Sequence, residues 1–409
     1  MKSEIRIKKY IIFTVLTMAT GVIYKLPYIQ DVFYVPIQES LNLNHSQIGN
    51  MLSVAGFISV FGFLGSIYFI DKISKKIVIP ISLIGVGITG LYLYTLPGYF
   101  SLIIIWIVFA LFSDMFYWPV VVKTVKDLGE KNEQGRIFGF FEAGRGLFDT
   151  IVVLSVLYLF SKTNSIRDVI LFYSISCILI GIVIYFILEK EYITYTNKKN
   201  KLRFPIEVIK SKEVLLVSGN IFCSYAIYCG ITYMMPFLQN IYDVSLVSIG
   251  IYSMLNQYGL KMIAGPLGGY LADRKFKSAS KYFRFSFMGI ILVVIVMILL
   301  PEEGNTSNIG FLFVVVFSLI VSSMKALLFA PMEEIKIREE ISGQAISLAS
   351  FIGYSPLIFC YSLYGNILDK FSGLLGYRIL FCILIGFGIM GLVINKKLIN
   401  YIDLNQRKD

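Results

Sequence analysis

Residues 21–33 read GVIYKLPYIQDVF, and residues 230–242 read GITYMMPFLQNIY. Four residue types recur in both at the same spacing: Gly21 and Gly230, Tyr24 and Tyr233, Pro27 and Pro236, Gln30 and Gln239. The segments that follow agree as well. Gly49 to Asp71 and Gly250 to Asp273 are runs of nearly equal length, each closing on an acid followed by basic residues, and Pro119 has a counterpart in Pro331. Matches in one order at nearly one offset mark an internal duplication, and an internal duplication sets the architecture before any single element is read.

The repeated unit is apolar. Of 409 residues 56% are hydrophobic and 15% charged, and the mean hydropathy is +0.74; soluble domains run at about 25% charged. A spanning helix needs about 20 apolar residues, so twelve spans use about 240 residues and leave short loops. That excludes a large soluble catalytic domain. Apolar runs bounded by Gly, Pro and charge predict spans near 10–34, 47–70, 77–96, 99–122, 137–160, 168–188, 214–239, 248–271, 282–300, 308–332, 344–367 and 379–395. The first run is of full spanning length and shows no small-residue cleavage site, so it reads as a retained helix. The expected fold is an all-α membrane protein, with twelve transmembrane helices in two pseudo-symmetric six-helix bundles. Residues 1–188 form the first half, 189–212 a linker and 213–409 the second half.

The formal charge of +11 would suit a nucleic-acid partner in a soluble chain, but its placement argues otherwise. In a twelve-span arrangement 29 basic residues fall on one side, at the N-terminus, in the linker and in scattered loops, against Lys162, Arg167, Lys370 and Arg378 on the other. The side rich in Lys and Arg is the cytoplasmic one, so both termini and the linker are expected in the cytoplasm of a cell-membrane protein. There is no single basic patch with interleaved aromatics, so no nucleic-acid partner is implied. The five cysteines lie in apolar stretches without metal-ligand spacing. The single histidine, His45, lies in a polar segment, which leaves no histidine for chemistry inside the spans.

Two parallel six-span halves are a transporter architecture, with a substrate site near the membrane midplane. Residues 268–277, GGYLADRKFK, resemble the loop signature of the major facilitator superfamily, a glycine four residues before an aspartate and then basic residues. The first-half copy, GSIYFIDKISKK (65–76), has Ile67 at the glycine position. The resemblance implies that this loop latches the cytoplasmic ends of the halves, a gating role for Asp273 and Arg274 with Asp71 and Lys72 as the first-half copy. WPVVVK (118–123) also distantly resembles the organophosphate:phosphate antiporter branch. That branch holds phosphate with paired arginines from helices 1 and 7, whereas this sequence carries Lys25 and Met234 there.

Charges inside the predicted spans point to function. Lys25, Asp114, Glu142, Arg145, Asp149, Lys261 and Lys325 would each cost about 3 kcal/mol facing lipid, so they must face a wet cavity or one another. Glu142, Arg145 and Asp149 share one helix face, with Arg145 a turn from each acid. Two readings follow: a self-neutralising ladder, or a cavity lining in which one acid changes partner. Asp114 and Lys325 stand at similar depths before Pro119 and Pro331, and a static bridge between them is a further reading. Asp114, Glu142 and Asp149 are the expected proton-coupling groups. The expected substrate contacts are Tyr24, Lys25, Tyr28, Gln30, Trp118, Arg145, Tyr228, Tyr233, Gln239, Asn256, Gln257, Lys261 and Lys325. Pro27 and Pro236 are expected to kink their helices.

The reading is secondary active transport of a small polar, anionic organic solute by a monomer in the lipid bilayer, driven by H⁺ or by exchange. No Walker A sequence is present, and no cofactor, metal or enzymatic activity is implied. The alternatives are efflux of drugs, flipping of lipid-linked substrates, or a receptor that binds solute without moving it.

Overall fold

Breaks in the long apolar runs fall at prolines, although Pro36, Pro80 and Pro266 lie inside helices that continue. Lacking an N–H and crowding the preceding turn, proline leaves a carbonyl unpaired and can interrupt the helix. In the computed structural model, which describes residues 2–69, 74–128, 134–188, 210–242, 244, 248, 252, 259–301, 307–335 and 339–406, the breaks follow that rule. The first run is helix α1 (Lys2–Ile23), a set of tight turns around Pro27, and α2 (Gln30–Ser40). In the turns Lys25 N donates to the Val22 carbonyl at 3.0 Å and Ile29 N to that of Leu26 at 3.3 Å. Next come α3 (His45–Phe69), α4 (Lys75–Leu93), and α5 (Tyr99–Ala110), which continues through a π-helical segment, Leu111–Tyr117, into α6 (Trp118–Leu128). The π segment lies directly before Pro119, where an extra residue absorbs the lost hydrogen bond. Helices α7 (Gln134–Thr163) and α8 (Ile166–Ile187) follow.

The later part repeats the pattern. Helix α9 (Lys212–Cys229) tightens into a 3₁₀ turn, Gly230–Tyr233, before α10 (Met234–Tyr242), which holds Pro236. Then come α11 (Leu260–Tyr270) with a π segment at Leu271–Phe276, α12 (Ala279–Leu299), and α13 (Ser307–Ala326), which breaks before α14 (Ala330–Glu334) at Pro331. Last are α15 (Glu339–Tyr354), α16 (Pro356–Lys370) and α17 (Leu374–Gln406). Among the described residues there is no strand, and nine helical stretches are long and apolar enough to cross a membrane.

The chain forms two compact units. One is residues 1–43 with 54–198, the other 44–53 with 199–409. In the first unit α4 and α8 pack through small residues: a Cβ on Gly87 would lie 2.7 Å from the Ser174 carbonyl, and one on Gly181 2.9 Å from Ile84. In the second α12 and α17 pack alike, with Gly388 against Ile291 and Gly391 against Phe287. Close approach of small residues replaces the hydrophobic drive that lipid removes. Four cysteines are buried, while Cys382 on α17 is exposed.

Helix α17 extends past the predicted end at 395. Lys396 and Lys397 close the apolar run, but Leu398, Ile399 and Ile402 are buried and continue a packed stripe. Charged residues limit a span and not a helix.

A carboxylate anchors the start of α12. Glu334 accepts from the backbone N–H groups of Ala279 and Ser280 and from Ser278 Oγ, satisfying donors that a helix N-terminus leaves open. Glu334→Ala is expected to lower stability by about 1–2 kcal/mol, read as a fall in the melting midpoint of the purified protein, with Glu334→Gln recovering part of the loss.

Candidate functional site

In the first unit the break at Pro27 turns Tyr24, Lys25 and Tyr28 off the end of α1 beside α6 and α7. Close packing of α1 on α7 brings them there: a Cβ on Gly144 would lie 2.8 Å from Thr17, and one on Gly21 3.4 Å from Asp149 Oδ1. The Lys25 ammonium sits 2.8 Å from Asp149 Oδ1, the two side chains 10% and 14% exposed. Arg145 reaches Glu142 Oε1 at 3.3 Å, with 26% and 53% exposed. The Glu–Arg–Asp spacing on α7 is thus not one ladder. Asp149 turns to α1, and the wetter Arg145–Glu142 pair remains on α7.

Aromatic rings complete this cluster. The Arg145 guanidinium lies 5.8 Å from the centre of the Trp118 ring, inside the range where a cation is drawn to an aromatic face. Tyr24 packs edge-on to Trp118 at 6.3 Å and against Tyr28 at 6.2 Å, and its hydroxyl donates to the Ser113 carbonyl at 3.2 Å. The Tyr117 and Thr20 hydroxyls, 2.7 Å apart, tie α1 to the π segment.

Asp114 behaves unlike the other two acids. It is 7% exposed, and its carboxyl meets the hydroxyl of Ser59 on α3. Ser59 was not expected at the site; a serine in an apolar helix carries no signal until the partner is known. Gln30 is also buried, with neither amide atom hydrogen-bonded.

The second unit has its own cation–aromatic group. Lys325 ends α13 just ahead of the Pro331 break, its ammonium 3.7 Å from the centre of the Tyr228 ring and 5.6 Å from that of Tyr225. Tyr225 in turn contacts Tyr354 at 4.5 Å. Tyr225 and Tyr354 were also missed, because tyrosine is common throughout this chain. Asp114 and Lys325 therefore each have partners inside their own unit.

Tyr233 serves packing: fully buried, it donates to the Tyr361 carbonyl at 2.5 Å and its ring meets Tyr364. Gln239 is half-buried on α10. Asp273 and Arg274 are exposed in the second π segment. Asp71, Lys72, Asn256, Gln257 and the side chain of Lys261 lie outside the described residues. No group of three metal-ligating side chains occurs among the described residues.

The start of α3 forms a polar contact within the second unit. Asp369 accepts from the backbone N–H groups of His45 (2.8 Å) and Ser46 (2.6 Å) and from the Ser46 hydroxyl. Farther along, Ser362 donates its N–H to Ser53 Oγ at 3.0 Å and its hydroxyl to Asn50. Burial holds the His45 imidazole below its ordinary pKa, against the opposing pull of Asp369.

The model of the Major Facilitator Superfamily matches residues 11–360. The chain belongs to that superfamily. It is 42% identical over 411 residues to the inner membrane protein YihN of Escherichia coli K12, covering 98% of this chain and 97% of the relative. It is 25% identical over 402 residues to the inner membrane protein YqcE of the same organism, covering 95% and 93%. Among solved structures it is similar to a bacterial homolog of the human lysosomal transporter Spinster, inward-facing and occupied (TM-score 0.67, 15% identity, 99% and 97% covered). It is also similar to a mutant of the nucleoside transporter NupG (TM-score 0.70, 13% identity, 96% and 99% covered). The fold is the twelve-helix facilitator architecture, and this superfamily member is a multi-pass membrane transporter, not an enzyme.

Proposed function

We infer that this facilitator moves a small polar, anionic organic solute by alternating access of its two six-helix halves, residues 1–188 and 213–409 joined by the linker 189–212, powered by a proton gradient or by exchange. It works as a monomer in the cell membrane, with termini and linker in the cytoplasm. The inner-membrane names of its Escherichia coli relatives and the distribution of basic residues support that location.

The observation that carries the substrate class is Arg145. Its guanidinium is held over Trp118, beside Tyr24 and Tyr28, while its partner Glu142 is half-exposed. A pair this wet is weak and exchangeable, worth under about 1 kcal/mol, so an incoming carboxylate, sulfonate or phosphate can displace Glu142 and take the bidentate guanidinium face. Lys325 over Tyr228 supports the same preference. The pairing of Lys25 with Asp149 leaves that lysine a positioning role.

Arg145→Ala is expected to abolish uptake of labelled organic anions into proteoliposomes while shifting the melting midpoint little, because only a half-exposed pair is lost. Uptake at the wild-type rate by that variant would remove Arg145 from the substrate site. A panel of anions, sugars and amino acids, each tested with and without a pH gradient, assigns the substrate and the driving ion.

A further inference from the structure

Besides Asp31 and Asp168 near span ends, three carboxyl groups lie within the described spans of the first unit, and two of these three face cations: Asp149 meets Lys25 at 2.8 Å and Glu142 meets Arg145 at 3.3 Å. Asp114 faces hydroxyls. Among the described residues no basic group bridges it. Its neighbours are Ser59 from α3, in contact with its Oδ2, and Ser113 from its own segment.

Those hydroxyls have few protons to give. Ser59 Oγ carries one, and lies 2.9 Å from the Ala55 carbonyl as well as against Asp114. Ser113 Oγ carries one, and lies 2.8 Å from the Phe109 carbonyl. Both carbonyls only accept. An ionised Asp114 would have to draw both protons from those carbonyls and would still be an uncompensated charge within a span. A neutral Asp114 adds a third proton: its O–H donates to Ser59 Oγ and Ser59 donates to Ala55, which leaves the Ser113 proton alone to be shared between Phe109 and the carboxyl.

Among the described residues the rest of its surroundings adds no cation. Tyr24 from α1 places its hydroxyl on the Ser113 carbonyl. On the same segment Tyr117 is held by Thr20. From α3 Gly62 meets Met115, and from α4 Gly85 meets Phe112. Arg145 lies over Trp118 and pairs with Glu142.

We propose that Asp114 is the proton-carrying group of this transporter, neutral in the conformation described, with Ser59 as its hydrogen-bond partner and the π segment Leu111–Tyr117 as the element that responds to its charge. Loading converts a carboxylate and a hydronium ion into a carboxylic acid and water; release is the reverse, with no electron transfer. On release the charge pulls the Ser59 and Ser113 protons off the Ala55 and Phe109 carbonyls. The hydrogen bonding of α3 and of the π segment changes together, at a helical irregularity of the kind that marks functional sites. The coupling role rests on the transport reading above, whereas the neutral state of Asp114 does not.

The test separates these two parts. Full-length protein in liposomes is examined by infrared spectroscopy for the C=O stretch of a protonated carboxyl at neutral pH. That band is expected in the wild type, absent in Asp114→Asn, and shifted to higher frequency in Ser59→Ala, where the acid loses its acceptor. The same liposomes are tested for uptake of the labelled anion panel, and the stimulation by a pH gradient seen in the wild type is expected to vanish in Asp114→Asn. An undiminished band in Asp114→Asn, or gradient-stimulated uptake by that variant, overturns the proposal. If Asp114→Asn transports nothing, the band decides. If the wild type transports no panel compound, the transport reading fails alone and the band still reports on Asp114.

Discussion

Lys25→Met is expected to abolish uptake and to lower stability by about 3–5 kcal/mol, the cost of leaving one member of a buried ion pair uncompensated. The partner is Asp149, 2.8 Å away, and both side chains are nearly enclosed where α1 crosses α7. Asp149→Asn is expected to cost less than Lys25→Met, since the asparagine oxygen still accepts from the ammonium. The informative variant removes both charges. Lys25→Met with Asp149→Leu is expected to recover most of the melting midpoint, because buried ion pairs exchanged for apolar pairs of similar volume are often neutral or stabilising. It is not expected to recover uptake, since the pair sets the position of α7 beside Tyr24 and Trp118. Full recovery of both would make the pair dispensable; recovery of neither would mean that the apolar replacements do not pack.

Gly49→Ala and Gly365→Ala are expected to damage the second unit more than any surface change. A Cβ on Gly49 would lie 2.3 Å from the Tyr361 carbonyl oxygen and 2.9 Å from the Tyr233 hydroxyl, and one on Gly365 would lie 2.3 Å from the His45 carbonyl oxygen. In each case the obstacle is backbone, which cannot swing aside. The start of α3 must lift from α16, and the hydrogen bonds from His45 and Ser46 to Asp369 and from Ser362 to Ser53 lengthen with it. Overpacking costs about 1–3 kcal/mol and the lost cap about 1 more. Either variant should therefore melt well below wild type, and Ser53→Ala, which removes one hydrogen bond worth about 1 kcal/mol, should melt between them. An unchanged midpoint in Gly365→Ala would show that the two helices do not approach as described.

The sequence read the spans well, because membrane helices announce themselves by length and apolar content. Helix breaks were legible at Pro27 and Pro236, whereas the break ahead of Pro331 fell inside a span expected to be continuous. The site was legible only as an inventory of charges. Spacing on α7 put Arg145 within a turn of both Glu142 and Asp149, and that periodicity describes one helix at a time. It holds no information on Lys25, 124 residues earlier in the chain, which takes Asp149. Ser59, Tyr225 and Tyr354 were invisible for a related reason: their residue types are ordinary in such helices, and only the neighbour across the packing makes them notable. The full length of α17 was missed because Lys396 and Lys397 end a hydrophobic run without ending a helix.

Composition and the length of the apolar runs were enough to determine a twelve-span membrane protein, since each span must satisfy its own backbone hydrogen bonds in lipid and so carries its own signature; the superfamily was suggested by the motif at 268–277 and shown by the family match. Which charge meets which partner was decided only by tertiary packing. An ion pair or a hydrogen bond depends on distances of a few ångströms between helices that are far apart in sequence, and three acids alike in one dimension became a buried pair, a wet pair and a carboxyl among hydroxyls.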